Sequence, residues 1–514
     1  MHGRNTGRAW VYVVAGALLF WGGSLAAQPD AWAAAADTAP SQGATPPLPV
    51  DHWAHRAAER AWALGLAPNY VPAQRSAPRE MVGRALHDAV ELARERSPEM
   101  LGVAEGWMAR FVEEFPEYRP AGRRSPLLGG RAGVVTEHES GRLEPAYGHF
   151  EFRREPFLLP DRDEWAGAST VALGGRTIAA IARVEAGTEG VRVPAWDVSA
   201  SAGRLALAVG RERVGYGPAR GGGIVVSGAV PMTRVQLQTL GPVHLPSVLR
   251  YLGGTSFHSS LARLPESRHP GRPWFWTARV GFEPHSRLQL GINRASIFGG
   301  DSIDTPVTVG NVAKMFVGIL SADFENQVIA ADARWRLPTE RVLPATVYFE
   351  WGSEDASGAW WNVPGHTFGL LLPRLGSAWA GGAEYTRFAP HCCGNPPWYM
   401  HAAHPGGWVH RGRPLGHPLG GEGWEGMAYG QGELLDARLR VEGRAFVRRR
   451  TGEGLAREQR AANLYAPARA GSWGGSLDAA WRLAPRIDAR LSLYRDAGDG
   501  WREQSLRADL SYLF

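Results

Sequence analysis

The sequence predicts an all-β transmembrane fold, an antiparallel outer-membrane β-barrel of ~18 strands preceded by a small periplasmic α-helical unit. Three observations predict it. First, the C-terminal stretch alternates side chains with period two, as a strand with one apolar and one polar face does. Phe514, Tyr512, Leu510, Ala508 and Leu506 alternate with Leu513, Ser511, Asp509, Arg507 and Ser505. Second, the polar faces are dense in Arg, Asp and Glu, while the apolar faces end in Trp, Tyr and Phe. That combination suits a wet lumen and aromatic girdles better than a soluble sandwich. Third, no run after residue 30 supplies the about 18 apolar residues that a spanning helix needs.

The 514 residues are 21 % charged and 44 % hydrophobic, which excludes disorder. The net charge of +6 comes almost wholly from Arg. Arg4 and Arg8 precede an apolar run from Ala9 to Phe20, and Ser24-Leu25-Ala26-Ala27 offers a cleavage site. Residues 1–27 therefore read as a signal peptide for export to the outer membrane of a Gram-negative-type cell. Residues 28–48, rich in Ala, Pro, Thr and Ser, read as a flexible linker.

Helical periodicity occupies residues 49–125. Asp51 is placed to cap a helix with Trp53, Ala57, Ala61 and Leu64 on one stripe, stopped by Gly65. Pro78 opens a second helix with Met81, Ala85, Ala89 and Leu92 aligned. Pro98 opens a third, with Leu101, Ala104, Met108 and Phe111 on its apolar face and Trp107 beside them.

Residues 126–514 are assigned to the barrel. Eleven strands fit after residue 274, the last four including 435–448, 472–483, 487–495 and the closing strand. Earlier strands are expected around Tyr147–Arg153, Ile178–Val184 and Leu205–Val209. With the C-terminus periplasmic, the connections at 283–286, 338–344, 373–377, 431–434 and 484–486 all fall on that side, and all are short. Those at 295–327, 353–364, 388–423, 449–471 and 496–501 fall outside, and most are long, which is the parity such barrels obey.

Two resemblances rest on particular residues. Asp51-His52-Trp53-Ala54, Ala63-Leu64-Gly65-Leu66 and Pro78-Arg79-Glu80 are similar to a degenerate S-layer homology repeat, a module that binds cell-wall polymer. Gly210–Pro218, Gly221-Gly222-Gly223, Val226–Pro231, Leu290–Arg294, Ile297–Asp301, Asn326-Gln327, Asp332–Arg336 and Arg411–Pro418 together resemble the capsule assembly Wzi family. Tyr216 stands where that family commonly has Trp. The resemblance implies an outer-membrane barrel with a periplasmic helical bundle and a lectin-like role, holding capsular or other exported polysaccharide at the cell surface.

Two clusters are candidate sites. Arg279, Arg287, Arg334, Arg336, Arg438, Arg440, Arg444 and Arg448 share the lumen face, where guanidinium forks can bind uronic acids. The same residues can instead form a rigidifying charge network with Asp332, Glu350, Asp436 and Glu442. The loop 388–423 carries Trp398, Tyr399, Trp408, His410, Arg411, Arg413 and His417, a mixture suited either to a glycan or to packing in the barrel mouth. His391, Cys392, Cys393 and His401 match no standard zinc spacing, so no metal or other cofactor is expected. Phe298-Gly299-Gly300-Asp301-Ser302 is similar to a lipase nucleophile block but has no His partner block, so no catalytic residue is expected.

The expected partners are an acidic capsular polysaccharide or exopolysaccharide and outer-membrane lipid, with export machinery or peptidoglycan as further partners and no nucleic acid. A passive porin is the alternative reading, and a wall tether acting through 49–125 is the second.

Overall fold

The computed structural model describes residues 45–115, 118, 127–141, 164–175, 177–187, 190–228, 230–316, 324–354, 365–388, 398–399, 401, 403–410, 413–420, 423–449, 471–498 and 501–514. The expected signal peptide, most of the linker, and the strand expected at Tyr147–Arg153 lie outside them.

Eighteen long strands among the described residues pair antiparallel into one closed sheet. They are β1 Leu127–Gly141, β2 Glu164–Gly174, β3 Ile178–Gly187, β4 Gly190–Ala202, β5 Leu205–Glu212, β6 Met232–Thr239, β7 Gly254–Arg263, β8 Trp274–His285 and β9 Leu288–Phe298. The wall continues through β10 Glu325–Arg336, β11 Thr346–Glu354, β12 Gly365–Leu372, β13 Trp379–Phe388, β14 Gly423–Leu434, β15 Leu439–Arg449, β16 Ser472–Ala484, β17 Ile487–Gly498 and β18 Trp501–Leu513. A two-residue piece, Val243–His244, pairs only with β7. Closure is made by β18 against β1, with Val134 opposite Leu510, and the chain end is tied by Phe514 N–H donating to Gly130 O at 3.0 Å.

Alternation decides which face meets which solvent. Val134, Phe368, Trp473 and Leu510 are exposed by 48–56 %, whereas Asp478, Asp488, Asp509 and Ser511 are buried. A soluble monomer would not leave so wide an apolar belt open, but a barrel in lipid must. No described helix is long and apolar enough to cross a membrane.

The eleven strands from β8 to β18 stand where the alternation puts them. The short connections, including 286–287, 337–345, 373–378 and 485–486, share one end, periplasmic in barrels of this class. One turn differs. It lies at 435–438 rather than 431–434, because Leu435, Asp436 and Ala437 take left-handed backbone conformations (φ 54–60°) that end the alternating pattern. Arg438 and Asp436 are therefore exposed turn residues at the periplasmic end, not members of a lumen network.

Residues before β1 form three helices, α1 Trp53–Ala63, α2 Arg79–Arg96 and α3 Pro98–Glu114. His52, not Asp51, caps α1, its Nδ1 accepting Ala54 N–H at 3.3 Å. Gly65 (φ 81°) ends that helix as expected, with Leu66 N–H returning to Ala61 O. The buried face of α3 is Met100, Ala104, Trp107 and Phe111, rotated from the expected stripe so that the indole sits at its centre and Leu101 and Met108 flank it. Ala54, Ala57, Ala58 and Ala61 are fully buried, which brings α1 close to its neighbours. The apolar cluster around these helices also takes in Tyr348, Leu371 and Ala437 of the barrel, so the helical unit is packed against the wall.

Candidate functional site: a lumen filled from both ends

The short-turn half of the lumen is held by buried charge. Arg60 of α1 is fully buried and donates to Pro373 O at 2.7 Å, Ser377 O at 2.7 Å, Trp379 O at 3.2 Å and the Glu433 carboxylate at 2.5 Å. Its neighbour Glu59 accepts from Arg334 of β10 at 2.6 Å and from Arg220 at 2.7 Å. Burial works to raise the Glu59 carboxyl, but Arg220 and Arg334 outweigh it and hold it well below the usual carboxylate range. His55, buried beside Tyr70 OH at 3.0 Å, is pushed down to about 3 by burial first and His52 second. On the opposite side Arg482 pairs with Glu113, and Arg110 donates to Ala437 O at 3.3 Å.

Above this layer the connection between β5 and β6 turns inward. Glu350 of β11 and Glu384 of β13 point into the lumen and accept its backbone N–H groups. Glu384 receives Arg220 N–H at 2.7 Å, Gly221 N–H at 2.8 Å and Tyr348 OH at 2.9 Å; Glu350 receives Ile224 N–H at 3.2 Å. Gly217 (φ 91°) passes so close to Glu350 that any Cβ would meet its carboxylate. Tyr216, 1 % exposed, is bonded to His258 at 2.5 Å and Thr277 at 3.0 Å. The same segment meets the helical unit through Arg75 N–H to Gly215 O and Gly217 N–H to Ala73 O, both 3.0 Å.

The loop between β13 and β14 closes the other side. Trp398, Tyr399 and Trp408 are 0–4 % exposed, and His417 is fully buried. Trp408 donates to Val225 O at 3.0 Å, Tyr399 OH to Ile224 O at 2.5 Å, and Ser227 N–H to Leu415 O at 2.9 Å. Arg268, from the connection after β7, adds bonds to Gly407 O and Val409 O. These aromatic faces are therefore spent on one another and on Phe275 and Phe388, not presented outward to a sugar. His410 is also buried. Arg411 lies outside the described residues, as do His391, Cys392, Cys393 and the side chain of Arg413.

The expected lumen arginines divide by height. Arg279 is 1 % exposed and forks onto Asp332, which Asn293 also bonds at 2.8 Å. Gly291 leaves room there for the Arg279 guanidinium, which a Cβ would displace. Arg448 pairs with Glu425 at 2.8 Å and Asp496 at 3.6 Å, Arg440 with Glu442 at 2.9 Å, and Arg444 with Ser476 at 3.1 Å. Arg287 and Arg336 lie at the periplasmic rim, where Arg287 pairs with Glu340 and Arg336 lies 5.4 Å over Trp62. The described network thus joins charged side chains to one another and to the inserted segments.

The family model described as capsule assembly protein Wzi matches residues 164–496, more than half of the chain. The chain belongs to the capsule assembly Wzi family. A solved Wzi from Escherichia coli, described as an outer-membrane protein involved in group 1 capsule assembly and a carbohydrate-binding β-barrel, has TM-score 0.72 at 14 % identity, over 91 % of this chain and 99 % of that one. Pseudomonas aeruginosa OprD (TM-score 0.44, 11 % identity, 75 % and 94 % covered) and OpdL (0.46, 9 %, 75 % and 98 %) are more distant barrels. No curated protein sequence matches the chain.

Several of the Wzi-like motifs fall on the lumen. Arg213–Pro218 and the three glycines belong to the inserted segment, Asn293 bonds Asp332 on the neighbouring strand, and Arg334 reaches the segment at Pro218 O. Glu59, Glu384 and Glu433, three further anchors, were not singled out in the sequence; the one signal for them is inward parity for Glu384 and Glu433 and adjacency to Arg60 for Glu59. The residues similar to an S-layer repeat are engaged internally. Trp53 and His52 both bond Glu114, at 2.8 and 3.1 Å, and Arg79 stacks over Phe115 at 4.3 Å. Asp301 of the Gly-Asp-Ser block pairs with Arg272 at 2.9 Å, a contact between two outer connections.

Proposed function

We propose that this barrel binds and retains capsular or other exported polysaccharide at the cell surface and does not conduct solutes. The observation that carries the reading is the occupied lumen: helices enter from the short-turn end, and the 213–228 and 398–420 segments enter from the loop end. A barrel so filled has its loop face, not its interior, available to a long polymer. Membership of the Wzi family and the carbohydrate binding described for the Escherichia coli relative support the same reading.

The polymer on this reading is acidic. Arg411 and Arg413 belong to the outer loop, and the connection 450–471 adds Arg450, Arg457, Arg460 and Arg469 against Glu453 and Glu458. Guanidinium forks suit uronate carboxylates. The buried Trp398, Tyr399, Trp408, His410 and His417 then shape that face from beneath. Export begins with the N-terminal signal peptide, and the export machinery hands over the polymer. The filled interior argues against the porin reading, and the engaged Trp53 and Arg79 argue against a peptidoglycan tether.

Purified protein in liposomes, given labelled polysaccharide from the same cells, tests this. Saturable binding that weakens with added salt supports it; binding no greater than to protein-free liposomes refutes it.

A further inference from the structure

The outward face of β16, β17, β18 and β1 carries a feature that neither lumen filling nor polymer binding uses. In the loop half of this wall, Leu477, Leu493 and Leu506 stand side by side on paired strands. Each is exposed by 41–45 %, so together they form an outward leucine floor. Register places cations on the loop side of that floor. Arg495 lies opposite Gln504, and Ala497 opposite Arg502, so the two arginines are diagonal neighbours on one face. His138, opposite Leu506, stands at the side. The Arg495 guanidinium lies 5.2 Å from the Trp473 ring, which holds it at girdle height.

Charge is sorted by sign here. The described carboxylates Asp478, Asp488, Asp496 and Asp509 all point inward and are at most 7 % exposed. No outward position of these four strands carries a carboxylate among the described residues. Two arginines on a lipid-facing wall are tolerated near the interface and costly at the midplane, and they are best satisfied there by an anionic headgroup. We propose that this outward patch binds a phosphorylated, anionic lipid of the outer leaflet. Its phosphate bridges Arg495 and Arg502 through charge-assisted bonds, and its acyl chains lie on the leucine floor. A soluble anion would meet the arginines but leave that floor uncovered.

The test uses the full chain in neutral detergent, titrated with diphosphoryl lipid A and read by native mass spectrometry. Wild type should bind it at least tenfold more tightly than a phosphate-free lipid A. The R495Q/R502Q variant should lose that preference, while R387Q, an exposed outward arginine at the loop end of β13, should keep it. L493S, which retains both arginines, should also weaken lipid binding. Unchanged binding by R495Q/R502Q, or an equal loss in R387Q, overturns the site. Unchanged binding by L493S, or displacement of the lipid by an equal concentration of inorganic phosphate, overturns the lipid as its occupant.

Discussion

The Arg334 guanidinium on the barrel wall donates to the Glu59 carboxylate of α1 at 2.6 Å, with both side chains at most 6 % exposed. Arg220 of the inserted segment donates to the other Glu59 oxygen. One carboxylate thus joins helix, wall and plug. Replacing it with alanine leaves two buried cations without their carboxylate partner, a change that costs on the order of 3–5 kcal/mol. Glu59→Ala should make residues 45–115 sensitive to protease while the barrel stays folded. Resistance equal to wild type would show that the helices are held by other contacts.

Acid should loosen the same joint. The Glu59 pKa is lower folded than unfolded, so its contribution is full above the ordinary value of 4.5 and declines as pH falls below it. His55 titrates at about 3 folded against 6.5 unfolded, so the unfolded chain binds the extra proton between those values. Its contribution also declines as pH falls, through 6.5 towards 3. The signs agree. Protease sensitivity of the helical unit should rise between neutral pH and about pH 4, and a flat profile would contradict the assignment.

Conduction is the next consequence. Wild-type protein in planar bilayers should show little steady current. Glu350→Ala with Glu384→Ala removes the acceptors for three backbone N–H groups and the Tyr348 hydroxyl, each costing about 1–3 kcal/mol when orphaned. The double variant should show frequent openings. Large stable channels in wild type would restore the porin reading.

Trp408 tests whether the outer loop is packing or platform. It is 1 % exposed, edge-on to Phe275, stacked on Tyr399 and bonded to Val225 O. Trp408→Ala should cost about 3–5 kcal/mol of local stability. Accelerated amide exchange at Val225–Ser227 would show it, and unchanged exchange there would place the indole outside the mouth.

Much of the wall was legible because alternation is imposed by two solvents at once. Leu510 and Asp509 had to face opposite ways whatever the rest of the chain did. Turn parity followed from the same rule. The interior was less legible, because period two says that Glu384 points inward but not what meets it there. Glu59 reads locally as an ordinary helix-surface acid beside Arg56, and only the wall makes it a buried hub. Trp398, Tyr399 and Trp408 have the composition of a sugar platform and of a packed plug alike. Tertiary contact with Ile224 and Val225 decides for the plug. The turn at Leu435–Ala437 was misplaced because its residues continue the strand's apolar rhythm.

Retention of polysaccharide without transport of it separates this reading from the porin. The direct measurement is the cell-bound fraction of surface polysaccharide in cells lacking this protein and in cells given it back. Loss of the protein should move polymer into the medium while total exported polymer stays the same, and the restored protein should return it to the cell. A fall in total polymer with an unchanged bound fraction, or no change in either, would contradict it.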